Sequence, residues 1–440
     1  MSNFITNEFP ASSSAAWKQK IQFELDGADY NQTLLTKTIE GITISPFYHL
    51  DTFEKLNIPL PKEHCKICTK IKVSVEETAN IEAFKAIEQG SSSILFEVLE
   101  PFNSTILFHN LLQKNIEFHF KFHFLDEKFI NNLILKLVDE TVYFNIDIIG
   151  NLARTGNWYA SQKKDFSILE SLIKKNPDSF IISVDTTIYQ NAGANIVQQI
   201  AYALAHANEY LTIFGGTVAN KIHFNFATGT HYFFEIAKIR AFRYLYNLIL
   251  GKYNTSAIAK VCSEPSLRNK TLYGSTINTL RSTVERMSAI LGGATTFVNN
   301  YNSDIFTQNQ QPILNEICTF RKAQQIPTDS YYIEYVTKQL SEKALTIFKD
   351  IEKSGGFLTQ LKEGTIQRKI NENAQKEQHQ FDIGELVLLG VNKYPNQYNS
   401  EEDVQITTTL KGKAYKTLII PILPKRLAEK LEQKRIKDGA

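Results

Sequence analysis

From about residue 66 onward, short runs of β-branched and aromatic residues alternate with stretches in which apolar residues recur at helical spacing. Repeated strand–helix alternation favours parallel strands joined by right-handed crossovers. Eight such strands suit a closed barrel better than an open sheet, so the pattern predicts an α/β fold with a (β/α)₈ TIM barrel over residues 66–335. The predicted strands are 92–98, 116–124, 141–149, 180–187, 221–227, 258–263 and 295–299, with a weaker eighth at 326–334.

Helical stretches fill the intervals between these strands. A capping box formed by Ser74 and Glu77 predicts the start of the first, which runs to about Gln89. The others are expected at 103–114, 127–139, 191–213, 230–251 and 276–291. Gly292 and Gly293 follow the last of these helices and precede a strand, where a helix C-cap calls for glycine.

Segments at both ends flank the predicted barrel. Residues 1–65 contain a helical run from Ser14 to Leu25 and an extended stretch at 41–52, and neither has the apolar content of an independent core. We interpret them as an arm that contacts another subunit. Residues 336–440 are predicted to form a helical extension, interrupted near Gly355 and Gly364 and ending in a charged helix.

Composition narrows the class of protein. Of the 440 residues 43% are hydrophobic, which is ample for a large core. The 48 basic and 46 acidic residues leave a net charge of +2, which indicates neither nucleic acid nor a membrane as partner. Four cysteines make no disulfide framework, and the opening MSNFITNEFP lacks the pattern of a signal peptide. We therefore expect a cytoplasmic protein.

Two groups of residues look at first like metal or redox sites. Cys65 and Cys68 form a Cys-x-x-Cys pair, but a structural zinc site needs four ligands, and the pair enters an extended run rather than a helix. His119 and His123 would stand about 13 Å apart on a strand, too far to share one ion. We predict no metal site from either group.

The stretch 232–245 places four charged residues among apolar neighbours. Glu235, Lys238, Arg240 and Arg243 could form an exposed ladder of ion pairs, or they could lie on a buried helix and need internal partners. We favour a structural role in either case. The residues alone indicate a large α/β barrel with a site for a small molecule or a partner.

Several segments together identify a family. YQNAGANIVQQIAYALAHANEY (189–210), FNFATG (224–229) with FEIAKIRAFR (234–243), and NTLRSTVERMSAILGG (278–293) resemble segments of the methylmalonyl-CoA mutase family. DSYYIE (329–334), IEKSGG (351–356) and GVNKY (390–394) are similar to further segments in the same order. The scaffold residues retained are Gly193, Glu235, Lys238, Arg240, Arg243, Asn278, Arg281, Gly292 and Gly293.

This resemblance implies a coenzyme A thioester threaded through the barrel. It also implies adenosylcobalamin held between the barrel and a separate flavodoxin-like domain. The reaction would be a radical rearrangement between methylmalonyl-CoA and succinyl-CoA, in which cobalamin performs the homolysis and the protein orients the substrate.

The sequence departs from the family at the reacting positions. The family's tyrosine that touches the migrating group aligns with Lys70, and the arginine two residues earlier aligns with Cys68. Ile188 replaces the histidine that binds the thioester carbonyl, and Asn191 replaces a glutamate. We therefore predict no catalytic, cofactor-binding or metal-binding residue in this chain. RLAEKLEQKR (426–435) resembles the helix that leads into the cobalamin domain, but no cobalt-ligating DxHxxG motif is present.

The pattern resembles the small, non-catalytic (β) subunit of the heterodimeric members of the family. On this interpretation the partner is a large catalytic subunit that holds adenosylcobalamin, and the retained charged residues serve packing. Two alternatives stay open, namely the barrel half of a split cobalamin-dependent acyl-CoA mutase and a regulatory barrel that binds acyl-CoA without turnover. The acyl-CoA preference of the complex and the ability of the chain to fold alone or to homodimerise also stay open.

Overall fold

Eight parallel strands close into a barrel in the computed structural model, which describes residues 11–112, 114–272, 275–300, 323–395 and 416–438. Two short antiparallel strands precede it, β1 (Thr36–Lys37) and β2 (Thr43–Ile44). The barrel order β10-β3-β4-β5-β6-β7-β8-β9 confirms the predicted (β/α)₈ barrel. Its strands are β3 (Lys66–Val73), β4 (Ser93–Val98), β5 (Glu117–Phe122), β6 (Val142–Ile146), β7 (Phe180–Asp185), β8 (His223–Thr228), β9 (Lys260–Pro265) and β10 (Thr296–Asn300).

The predicted eighth strand at 326–334 is wrong. Residues 326–330 form a turn, and a helix begins at Tyr331. The missing strand is β3, where lysines at 66, 70 and 72 interrupt the apolar alternation. Lys70 pairs with Glu97 of the neighbouring strand β4, and Lys66 lies 3.8 Å from Glu117 of β5, one strand further round the barrel. Both acids lie far away in sequence.

The helices broadly follow the prediction, with four differences. The helix predicted after Ser74 begins at Glu76 with Val75 as its N-cap and no side-chain cap, so the capping box is wrong. The helix expected at 103–114 is shortened to Ser104–Leu107. The stretch 191–213 is divided by a turn at Gly193, and two helices between β6 and β7 were not predicted. The helices are α1 (Ser14–Glu24), α2 (Tyr30–Leu34), α3 (Glu76–Glu88), α4 (Ser104–Leu107), α5 (Glu127–Lys136), α6 (Ile148–Thr155), α7 (Gln162–Lys175), α8 (Thr187–Asn191), α9 (Ile196–Phe214), α10 (Tyr232–Lys252), α11 (Ser275–Gly292), α12 (Tyr331–Lys353), α13 (Phe357–Lys362), α14 (Thr365–Asp382) and α15 (Glu429–Asp438).

Strand residues alternate between the barrel bore and the surrounding helices. Phe118 and Phe120 of β5 pack outward on Phe96 and Phe108, and all four rings are buried. Inward, Cys68, Leu95, Cys262 and Val298 form one buried cluster. These residues come from four consecutive strands of the barrel, β9, β10, β3 and β4.

The N-terminal segment lies against α12. The Tyr335 hydroxyl donates to the Thr43 carbonyl at 3.0 Å, and the Tyr48 and Tyr335 rings are 4.9 Å apart. Helix α1 contains no buried residue, and it exposes Trp17 by 46% and Phe23 by 86%.

Residues 416–425 form an extended segment, here called the strap, near the carboxyl end of the barrel. The Ile422 amide donates to the Ala153 carbonyl at 2.8 Å, and the Lys425 amide donates to the Asn191 carbonyl at 2.8 Å. The strap thereby joins α6 to α8 and leads into α15.

Candidate functional site

The carboxyl ends of the barrel strands meet at one mouth, where enzymes with this fold place their catalytic residues. Lys70 of β3 and Glu97 of β4 lie on this end, with Lys70 Nζ 3.1 Å from Glu97 Oε2. His123, which follows β5, places its Nε2 3.1 Å from the other oxygen of Glu97. One carboxylate therefore joins a lysine and a histidine from its two neighbouring strands.

A second group of charges lies beside the first. Asp185, the last residue of β7, accepts a 2.6 Å hydrogen bond from Arg154 of α6. Lys121 of β5 approaches the same carboxylate to 3.9 Å. The Thr187 amide and hydroxyl donate to its other oxygen at 3.1 and 2.5 Å. Since β5 and β7 are not adjacent, the Lys121–Asp185 contact crosses the mouth.

The opposite charges at the mouth keep Glu97, Asp185 and Lys70 ionised although all three are largely buried. Burial works against ionisation of Glu97, yet the hydrogen bond from His123 and the nearby Lys70 and Lys121 ammonium groups hold its pKa well below the usual range. Burial also opposes ionisation of Asp185, but Lys121 and Arg154 lower its pKa. Burial disfavours the Lys70 cation, and Glu264 and Glu97 outweigh that effect and raise its pKa. Because a carboxylate with a low pKa is a weak base, neither acid is suited to abstract a proton near neutral pH.

Side chains fill the bore below the mouth. His119 stacks on Tyr143 with ring centroids 4.5 Å apart and lies 5.2 Å from the His223 ring. Burial lowers the pKa of His119 to about 3, and burial also lowers the pKa of His223. Within the described ranges both ring nitrogens of His119 lack a hydrogen-bond partner. The middle of the barrel is therefore a packed layer of uncharged rings.

Ile188 and Asn191 both lie on α8, which a buried network holds in place. The Asp147 carboxylate accepts hydrogen bonds from Tyr210 at 2.8 Å and from the Gly150 amide at 2.7 Å, and it pairs with His206 at 3.0 Å. The other ring nitrogen of His206 bonds to the Tyr189 hydroxyl at 2.9 Å. Ile188, the residue before that tyrosine, is 7% exposed.

Asn191 connects three segments near the mouth. Its Oδ1 accepts from the Leu267 amide at 2.9 Å, and its carbonyl accepts from the Lys425 amide of the strap at 2.8 Å. Asn191 thus joins α8, the connection after β9 and the strap.

The four charged residues singled out on α10 are buried, so the exposed-ladder interpretation is wrong. Lys238 pairs with Glu235 and donates to Gln199 Oε1 at 3.0 Å and to the Ala227 carbonyl at 2.6 Å. Arg240 pairs with Glu334 of α12. These contacts tie α10 to β8, α9 and α12.

Arg243 binds backbone rather than an acid. It donates to the Ala259 carbonyl at 2.9 Å and to the Gly293 carbonyl from two nitrogens, the nearer at 2.5 Å. Gly293 has φ +93°, which confirms the predicted C-cap. A Cβ at Gly292 would lie 3.1 Å from the Ile236 carbonyl, so glycine allows α10 and α11 to approach closely.

Asn278 and Arg281 secure the start of α11. Asn278 Oδ1 accepts from the Thr271 amide at 3.1 Å and from Arg281 at 2.8 Å. A second nitrogen of Arg281 donates to the Leu389 carbonyl at 2.6 Å. All the retained scaffold residues therefore make packing or hydrogen-bonding contacts that hold elements together.

Among the described residues, neither the cysteine pair nor the histidine pair lies in a cluster of metal-ligating side chains. Cys68 lies in the bore, where burial raises the pKa of its thiol, and no group of three or more metal-ligating side chains occurs within the described ranges. His119 is fully buried, whereas His123 pairs with Glu97 at the mouth. Cys318 lies outside the described residues. None of the described helices is long and apolar enough to cross a membrane.

Sequence reasoning missed Asp147, Arg154 and Asp185. Asp147 and Asp185 stand at or just after the carboxyl ends of two strands, VYFNI and FIISVD, which is the position where polar side chains of a barrel gather. An acidic residue at the carboxyl end of a predicted barrel strand was the signal by which the sequence could have indicated these two residues. The partner Arg154 lies 31 residues from Asp185, and only the closed barrel brings them together.

These features define a parallel α/β barrel protein whose carboxyl mouth is lined by mutually paired charges. The chain belongs to the methylmalonyl-CoA mutase family, because the family model described as Methylmalonyl-CoA mutase matches residues 141–418. It is 29% identical to the methylmalonyl-CoA mutase small subunit of Porphyromonas gingivalis, over 89% of this chain and 71% of that protein.

Similarity to other mutases is more limited in extent. The chain is 32% identical to the methylmalonyl-CoA mutase of Cereibacter sphaeroides, over 52% of this chain and only 35% of that protein. Among solved structures, a Yersinia pestis dihydropteroate synthase matches with 12% identity and a TM-score of 0.34, over 60% of this chain and 98% of that chain.

Proposed function

We propose that this chain is the non-catalytic small subunit of a heterodimeric, adenosylcobalamin-dependent methylmalonyl-CoA mutase. Its large partner would isomerise methylmalonyl-CoA and succinyl-CoA, and this chain would stabilise that partner in the cytoplasm. The observation that carries the proposal is the pairing of Lys70 with Glu97. Lys70 stands where the resemblance assigns the tyrosine that touches the migrating group of the substrate.

The ion pairs at the mouth argue against turnover by this barrel. An acyl group entering here would separate Lys70 from Glu97 or Asp185 from Arg154 and would leave buried charges without partners. Breaking a buried pair in this way is strongly unfavourable, by about 3–5 kcal/mol. These pairs are partly buried, so the penalty here is smaller but has the same sign.

The residues at the mouth do not fit adenosylcobalamin. The mouth is occupied by the paired charges of Lys70 with Glu97 and of Arg154 with Asp185, and a large cofactor seated there would separate these partners or remove them from water. We therefore assign the cofactor to the partner.

The N-terminal arm supports the assignment of a partner. Helix α1 exposes Trp17 and Phe23 yet buries none of its own residues. An exposed aromatic helix without a core is typical of a surface that another protein covers. We propose that α1 forms part of the subunit interface.

Affinity purification of tagged chain from its native cytoplasm tests the proposal. We expect a larger homologous chain at one-to-one ratio, with mutase activity that is lost when that chain is removed. Recovery of a small cobalamin protein, together with turnover of a thioester by the pair, would instead show that this barrel is the catalytic half of a split enzyme. Saturable binding of a coenzyme A ester to the isolated chain without turnover would favour the regulatory barrel.

A further inference from the structure

The strap and helix α14 enclose a groove of about 680 Å³, here called the strap groove. Two strap residues, Ile419 and Ile422, are buried, whereas Leu418, Ile420 and Leu423 are 70%, 69% and 62% exposed. Three large exposed aliphatic side chains within six residues are unusual on a surface that meets only water. Ile420 and Leu423 line the groove directly.

The charges around the strap groove are predominantly positive. Lys425 and Lys430 line it, and neither has an ion-pair partner in the part of the chain that the structure describes. Arg368 adds a third exposed cation on α14, 4.0 Å from Glu372. The one acid in the lining, Asp382, already accepts a hydrogen bond from Gln378 at 2.9 Å. A ligand with carboxylate groups would complement this surface.

A buried amide in the groove lining has an unused acceptor. Gln367 is 9% exposed, and its Nε2 donates to the Leu361 carbonyl at 2.9 Å and to the Ile420 carbonyl at 3.1 Å. Its Oε1 has no donor among the described residues. That oxygen is itself enclosed, so Gln367 fixes the strap to α14 through its Nε2 and does not offer a contact to a ligand.

We propose that the strap groove binds an extended segment of the large catalytic subunit that combines aliphatic and acidic residues. Its aliphatic side chains would pack on Ile420 and Leu423, and its carboxylates would meet Lys425 and Lys430. This inference rests on the proposed function for the identity of the partner, and on the groove itself for the chemistry of the segment.

Binding between the purified full-length chain and the purified large subunit, measured at two salt concentrations, tests the inference. Charge reversal at both lysines, K425E together with K430E, is expected to raise the Kd by about tenfold or more at low salt, with a smaller effect at high salt. The matched control, K85E with K128E, makes the same charge change at exposed sites on α3 and α5 and is expected to leave the Kd within about twofold. Equal effects of the two variants would overturn the inference.

A zero-length carbodiimide cross-linker provides a second readout on the assembled complex, because it joins only amines and carboxylates in contact. We expect Lys425 or Lys430 to be joined to an aspartate or glutamate of the large subunit. Cross-links from these lysines only to acids of this chain would overturn the inference and leave the proposed function intact. A wild-type chain that does not bind the large subunit at all would overturn both.

Discussion

The ammonium group of Lys70 lies 3.1 Å from the Glu97 carboxylate, across two neighbouring barrel strands at the carboxyl mouth. Together with Lys121, Arg154 and Asp185, this pair lines the carboxyl mouth of the barrel, where enzymes with this fold place their catalytic residues. The charged side chains at this mouth are therefore paired with one another.

The buried pair of Lys238 and Glu235 gives the first prediction. Lys238→Met leaves the Glu235 carboxylate buried without its cation, and we expect it to lower the free energy of unfolding by about 3–5 kcal/mol. Adding Glu235→Gln to the same chain should restore about 1–3 kcal/mol. Urea denaturation of the single and double variants measures both changes in the free energy of unfolding.

The control is Lys174→Met, which breaks an exposed pair with Glu170 and should change the free energy of unfolding by less than about 1 kcal/mol. A similar loss from both methionine variants would contradict the structural role assigned to Lys238.

Gly193 gives the second prediction. Its φ of +107° disfavours any side chain, and a Cβ would lie 2.5 Å from the Ala374 Cβ of α14. We expect Gly193→Ala to lower the melting temperature, with a loss of about 2–5 kcal/mol from overpacking and backbone strain. Gly27→Ala is the control, because Gly27 has φ +91° but nothing within 4 Å of the added Cβ. It should lose only about 1 kcal/mol. Equal losses would show that α14 does not pack closely on this turn.

His119 gives a prediction about pH. Its folded pKa of about 3 lies below the ordinary value of 6.5, so the unfolded chain binds the proton more tightly. The stabilisation from the neutral ring is complete above pH 6.5 and is lost as the pH falls toward 3. In this window His119→Leu should remove a slope of about 1.4 kcal/mol per pH unit from the stability profile.

Denaturation midpoints measured between pH 7 and pH 4 check this expectation. The control is His109→Leu, at an exposed position, and it should leave the slope unchanged. An unaltered slope in His119→Leu would mean that the bore is open to protons in the folded protein.

The sequence predicted most of the barrel because its strands carry local signals. Seven strands combine β-branched and aromatic residues over the correct lengths. The exception, β3, contains three lysines, and two of them are explained only by acids on other strands of the closed barrel, Glu97 of β4 for Lys70 and Glu117 of β5 for Lys66. The predicted capping box was wrong because helix α3 begins at Glu76, one residue later than an N-cap at Ser74 would place it.

The mouth could be predicted only in part. Resemblance to the family singled out Lys70, Ile188 and Asn191 as replaced positions, and their roles stay predictions. The hydrogen bond between Arg154 and Asp185 could not be foreseen, because it depends on the closure of strands that are distant in sequence. Likewise, burial of Arg240 beside Glu334 required α12 to pack on α10, 94 residues away.

The most direct test of the central claim is methylmalonyl-CoA turnover by purified chain, by purified large subunit and by their complex, each supplied with adenosylcobalamin. We expect no turnover by this chain alone. When the complex carries Lys70→Ala in this chain, its kcat should stay within about twofold of that of the wild-type complex, because Lys70 contacts no substrate. Turnover by this chain without the large subunit, or a loss of kcat on the order of a hundredfold with Lys70→Ala, would show that this barrel is itself catalytic.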